Sequence, residues 1–134
     1  MSGTNKPPHV DILRSSLGRA RGLGSARAGS HHWWVQRLTA VALVPLTLWF
    51  IFSAILLTGA TQEAMVVWLS APHRLALMVA LIVATFHHLQ LGLQTVIEDY
   101  IHGDLCRLSM ILAMKGLCVL LALACIVSVL RIGL

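Results

Sequence analysis

Residues 75–97, LALMVALIVATFHHLQLGLQTVI, run for 23 positions without an Asp, Glu, Lys or Arg. As an α-helix rising 1.5 Å per residue, such a segment is about 34 Å long, enough to cross a hydrocarbon core about 30 Å thick. A helix satisfies every backbone N–H and C=O within the segment, which lipid cannot do. Two other stretches read alike: residues 38–58 carry no charge, and residues 108–130 are interrupted only by Lys115. The sequence therefore predicts an all-α membrane protein of three transmembrane helices, over about 38–58, 75–97 and 108–130, with a flexible basic amino-terminal tail.

Composition agrees. Of 134 residues, 57% are hydrophobic and 11% charged, less than half the roughly 25% charge of soluble domains. The charge is also unevenly placed. Lys6, Arg14, Arg19, Arg21, Arg27 and Arg37 are six of the ten basic residues, and the first 37 positions hold one acid, Asp11. Nucleic-acid binding is the usual rival explanation for a basic stretch, but the adjoining apolar runs make this one a topology signal. The reading divides the chain into a cytoplasmic basic tail, residues 1–30, and a transmembrane domain, residues 31–134. Positive charge keeps the tail in the cytoplasm. The loop 59–73 then lies outside, the turn 98–107 inside, and the carboxyl terminus outside. The first apolar run begins too far from Met1, and is too long, for a cleavable signal peptide.

Local signals refine this outline. Residues 15–25 are rich in Gly, Ser and Arg without apolar period, and cannot fold alone. His31, His32, Trp33 and Trp34 stand at the approach to the first span, where tryptophan favours the headgroup level. Pro45 predicts a mild kink, and Trp68 an anchor for the outer loop within a short interfacial helix. Gly103 reads as the stop of the second helix, which then reaches about His102, and Asp104 as the N-cap of the third. Lys115 either snorkels to the cytoplasmic face or joins a buried ion pair. Cys106, Cys118 and Cys125 form no C-x-x-C pair; Cys118 and Cys125, seven apart, share a helix face as small packing residues.

The chemistry concentrates in the second span. At 100° per residue, Gly92, Thr95 and Asp99 lie 40°, −20° and 20° from His88, on one stripe about 17 Å long. An ionisable residue in mid-membrane is a functional candidate by default. His88 either bonds a neighbouring helix, with Gly92 allowing close packing, or ligates a haem iron, with Gly92 leaving room for the macrocycle. His87 points 100° away. Glu98 and Asp99 sit at a helix C-terminus, where the macrodipole disfavours acids. Beside them, the Tyr100 hydroxyl can donate to a quinone carbonyl, with a solvated cytoplasmic turn as the alternative.

Taken together, His88-x3-Gly92-x6-Asp99-Tyr100 on the second of three spans resembles the haem-and-quinone segment of the membrane anchor of succinate dehydrogenase, respiratory complex II. His31-His32-Trp33-Trp34-Val35-Gln36-Arg37-Leu38-Thr39-Ala40 resembles that family's approach to its first span, and residues 17–24 resemble the tail of bacterial relatives of the mitochondrial enzyme. The resemblance implies that His88 is an axial ligand of haem b, shared with a cytochrome b subunit. It implies that Arg37 and His31 lie near the haem propionates, and that Tyr100 and Asp99 form part of the ubiquinone site. At His32 the family can carry an acid. The implied partners are the cytochrome b, iron–sulfur and flavoprotein subunits and membrane lipid, with no nucleic acid, at the bacterial inner membrane. The chain has no flavin motif and no iron–sulfur cysteine cluster, so it performs no complete reaction alone. A fumarate reductase anchor and a non-redox assembly or interaction subunit are the alternatives.

Overall fold

The computed structural model describes residues 26–134, with side chains from Ser30 onward. Lys6, Arg14, Arg19 and Arg21 of the basic tail lie outside the described residues. The described residues fall into two units, the first ending at His31 and the second spanning His32–Leu134. Among the described residues four helices follow in order: α1 (Ala26–Leu56), α2 (Gln62–Leu69), α3 (Pro72–Tyr100) and α4 (Asp104–Gly133). Among the described residues there is no strand. α1 from Ser30, α3 and α4 are each long and apolar enough to cross a membrane.

The helices are longer than the apolar runs. α1 has 31 residues, about 46 Å at the helical rise, so it exceeds the hydrocarbon core by several turns. Its polar opening, including His31 to Arg37, continues the helix instead of leading up to it. Once the apolar segment has nucleated a helix, each added residue needs only propagation. α1 also runs through Pro45 without a break, although proline leaves the Val41 carbonyl without its usual donor. The chain leaves α1 through Gly59, at φ +81°, a left-handed conformation that glycine adopts without a Cβ penalty.

The loop after α1 holds the short helix that Trp68 suggested. Thr61 caps α2, its hydroxyl accepting from the Ala64 N–H at 3.3 Å. Trp68 does more than meet an interface. Its ring stacks on Trp49 of α1, with centroids 6.0 Å apart and planes 23° from parallel. The Arg74 guanidinium covers the same ring at 4.8 Å and donates to the Trp68 carbonyl at 3.0 Å. The aromatic pair is worth about 0.5–1.5 kcal/mol beyond its buried area. These contacts tie α1, α2 and the start of α3 together at one end.

The opposite turn differs from the sequence reading. α3 stops at Tyr100, and Ile101 is extended at φ −107°, ψ 109°. Gly103 has negative φ and is the N-cap of α4, so it does not terminate the preceding helix. Asp104 is the first residue of α4 and pairs with Arg107 at 2.9 Å. An acid in the first turn suits the macrodipole as well as an N-cap would, which is why the two placements look alike in sequence.

α4 packs along α3, and α2 touches both. Little is buried between them: among the described residues Cys118 (6% exposed), Ser53 (5%) and Gly133 are the buried positions. Cys118 packs inward, with its sulfur 4.0 Å from that of Met114. Cys125 does not share that burial and is exposed. Large apolar residues such as Leu48, Phe52, Leu56, Leu112 and Leu120 face outward, as lipid or other membrane helices require. Lys115 is half-buried and has no carboxylate partner among the described residues.

Candidate functional site

The polar stripe of α3 faces α1. The Thr39 hydroxyl lies 3.0 Å from His88 Nδ1, and a methyl at Gly92 would sit 3.6 Å from Gln36 Nε2. Residue 39 opposite 88 and 36 near 92 define an antiparallel register. His32, Gln36 and Thr39 fall at i, i+4 and i+7 on one face of α1, and the register carries His32 toward Thr95. A polar seam therefore joins the two helices at His88 and Gly92, near the midpoint of α3 and one turn beyond it, while Thr95 further along is exposed.

Each residue of the seam has a definite environment. His88 is half-buried, and its Nε2 makes no hydrogen bond among the described residues. Thr39 is also placed close to the carbonyls of Val35 and Gln36, both at 2.9 Å. The 3.6 Å spacing at Gly92 is ordinary van der Waals contact, so packing against α1 does not itself demand a glycine there. His32 is half-buried, and its Nε2 is a buried polar atom without a partner among the described residues. Such an atom costs roughly 1–3 kcal/mol unless something bonds it.

At the carboxyl end of α3, Gln94 donates to Glu98 at 2.7 Å, leaving Asp99 as the carboxylate on the His88 stripe. Asp99 is exposed, and Tyr100 is 79% exposed on this chain. Tyr100 is the last residue of α3, so its hydroxyl is presented at the rim of the helix and away from the seam. Among the described residues it has no hydrogen-bond partner.

The other two sequence-selected residues do not converge on His88 within this chain. The Arg37 guanidinium stacks over Trp33 at 4.2 Å, on a face of α1 about 160° from Thr39 at the helical angle. Trp33 in turn meets Trp34 edge-on, with centroids 5.2 Å apart. His31 is exposed and closes the first unit. The exposed His87 lines an open apolar groove of about 810 Å³ together with Leu38, Thr39, Ala42, Ala76, Ala80 and Ala84.

Sequence reasoning singled out neither Thr39 nor His32 as a partner in the seam. The i, i+4, i+7 spacing of His32, Gln36 and Thr39 was the available signal. By itself it shows a polar face on α1 without showing which helix that face meets.

No solved structure matches the chain. A 34% identical relative in Rickettsia bellii is a succinate dehydrogenase hydrophobic membrane anchor subunit, aligned over 87% of this chain and 94% of its own length. The Paracoccus denitrificans subunit of the same name is 31% identical over 63% of this chain and 65% of its own. A succinate dehydrogenase membrane anchor subunit of Reclinomonas americana is 29% identical over 61% and 71%. Residues 11–130 match the family model described as succinate dehydrogenase/fumarate reductase transmembrane subunit, so this multi-pass membrane protein belongs to that family.

Proposed function

We propose that the chain is the membrane anchor of a succinate:quinone oxidoreductase, contributing one axial ligand to a haem b and part of a ubiquinone site. The observation that carries this reading is His88: an imidazole near the midpoint of a membrane helix, held at Nδ1 and free at Nε2 among the described residues. A histidine that ligates a metal through one nitrogen characteristically bonds a second group through the other. The unpartnered His32 Nε2 and a glycine that α1 does not require also fit a site that accepts a further group. Haem b supplies a one-electron store whose potential its ligands and burial tune.

His88 would hold the haem iron through Nε2, with a second ligand from a cytochrome b subunit. Arg37, always charged, suits the haem propionates by charge-assisted hydrogen bonds. In that role it exchanges its contact with Trp33 for a carboxylate, and His31 joins it at the same mouth. Tyr100 donates its phenol proton in a hydrogen bond to a ubiquinone carbonyl. Asp99, adjacent in sequence, orients that site and passes protons from the cytoplasmic face. Ubiquinone takes up two electrons and two protons there, the electrons arriving from succinate through flavoprotein and iron–sulfur subunits. The exposure of Asp99 and Tyr100 on the isolated chain suits a site completed by neighbouring subunits.

Isolation of the complex through a tag on this chain tests the reading directly. Succinate-dependent reduction of a ubiquinone analogue, together with a b-type haem difference spectrum, is the expected result. A purified assembly with neither property would establish a non-redox membrane subunit instead.

The basic tail supports a topology with the amino terminus in the cytoplasm and the carboxyl terminus in the periplasm of a bacterial inner membrane. Cys106, exposed on the first turn of α4, reports on this. With Cys118 and Cys125 replaced by alanine, a membrane-impermeant maleimide should label Cys106 in inverted vesicles and leave it unlabelled in intact spheroplasts. The reverse pattern would invert the topology.

A further inference from the structure

Thr39 stands 49 residues from His88 in sequence and 3.0 Å from it in space. Its hydroxyl has one proton and two lone pairs. Two carbonyl oxygens, those of Val35 and Gln36, lie 2.9 Å from it, the geometry of a shared donation back into its own helix. An oxygen whose proton is directed at those carbonyls can only accept from a third neighbour. That neighbour is His88 Nδ1, which must then carry the ring proton. In a neutral imidazole with a proton on Nδ1, Nε2 is the nitrogen with the free lone pair. The opposite arrangement turns the hydroxyl proton toward Nδ1 and puts the ring proton on Nε2. It gives up both carbonyl bonds and leaves a nitrogen that cannot ligate.

We propose that Thr39 is a positioning residue that fixes the His88 imidazole as its Nδ1–H tautomer, aims Nε2 away from α1, and so prepares it to ligate a haem iron. This inference rests on the ligand reading of His88. It adds that the first span sets the ligand's protonation and orientation before any iron binds, and that the hydroxyl is the group required. Hydrogen bonding at Nδ1 also raises the basicity of the coordinating nitrogen, so Thr39 tunes the metal as well as aiming its ligand.

The test compares Thr39→Val, which keeps the branched shape and removes the acceptor, with Thr39→Ser, which keeps the hydroxyl. Both are made in the intact complex and purified beside His88→Leu. The readouts are haem bound per complex and the haem midpoint potential by redox titration. Succinate-driven reduction of a soluble dye checks assembly. Thr39→Val should weaken haem retention roughly 10- to 100-fold, the usual cost of losing a partner behind a metal ligand. The haem that remains should have a higher midpoint potential, because a less basic ligand stabilises the oxidised iron less. Thr39→Ser should restore both properties. Should valine block assembly, Thr39→Ala serves the same comparison.

Wild-type haem retention and potential in Thr39→Val would overturn the proposal, as would equal shifts in the serine and valine variants. If His88→Leu changes the spectrum while Thr39→Val does not, positioning fails and the ligand reading stands. A His88→Leu spectrum identical to wild type removes the ligand reading itself, and the positioning role with it.

Discussion

Replacing His88 with leucine is expected to reduce the haem retained by the complex at least about 100-fold, because loss of even a second-layer partner typically costs roughly 10- to 100-fold. Leucine is a favourable helix former of comparable bulk, and it introduces no charge into the membrane. The change should therefore leave α3 and its packing intact. What it removes is the nitrogen opposite Thr39 in the seam. His87→Leu is the matched control. That residue neighbours His88 in sequence, yet it lines the open apolar groove between α1 and α3, and its loss should leave the haem spectrum unchanged. The difference spectrum of the two purified variants decides the matter. Loss of signal in the His87 variant with retention in the His88 variant would transfer the ligand role to the neighbouring residue.

The second large effect is expected at the rim of α3. Tyr100→Phe should lower ubiquinone-dependent turnover roughly 10- to 100-fold while haem content and succinate-driven dye reduction stay at wild-type levels. A hydrogen bond to an oxygen that gains negative charge is worth about 1.5–3 kcal/mol, and each 1.36 kcal/mol is a tenfold change in rate. Phenylalanine keeps the ring and deletes only the donor. Because Tyr100 is 79% exposed and without a hydrogen bond among the described residues, the deletion breaks no contact that holds the chain together. Steady-state kinetics with a ubiquinone analogue, against the dye assay on the same preparation, provide the check. Unchanged kcat and KM for the quinone would remove Tyr100 from the site.

Much of the fold was legible because a bilayer simplifies the code. The three charge-free or nearly charge-free runs lie in three long helices, since lipid leaves a single apolar segment no other way to satisfy its backbone. The stripe through His88, Gly92, Thr95 and Asp99 followed from helical angle alone. Its meeting with Thr39 and Gln36 did not. Periodicity says which residues share a face of one helix and nothing about the partner helix or its register. In membranes the partner face is not marked by greater hydrophobicity, because lipid is equally apolar. The helix ends were the other weak point. Gly103 and Asp104 suit a C-cap and N-cap by type, whereas the chain places them at the N-cap and first turn of α4, two roles for which the residue preferences overlap. The polar opening of α1 reads in sequence as an approach to the membrane because composition changes there while helicity does not.

The scarcity of buried side chains has a biosynthetic consequence. With Cys118, Ser53 and Gly133 the buried positions among the described residues, the chain on its own encloses little side-chain surface, and lipid adds no hydrophobic drive to bring its helices together. Anything that binds the ordered arrangement and not the loose one stabilises it by mass action. A copy made in excess of neighbouring subunits is then expected to be less ordered and more open to membrane proteases. The steady-state amount of the ordered chain should accordingly follow the supply of those neighbours more than its own rate of synthesis, which a pulse-chase of the chain with and without them would read.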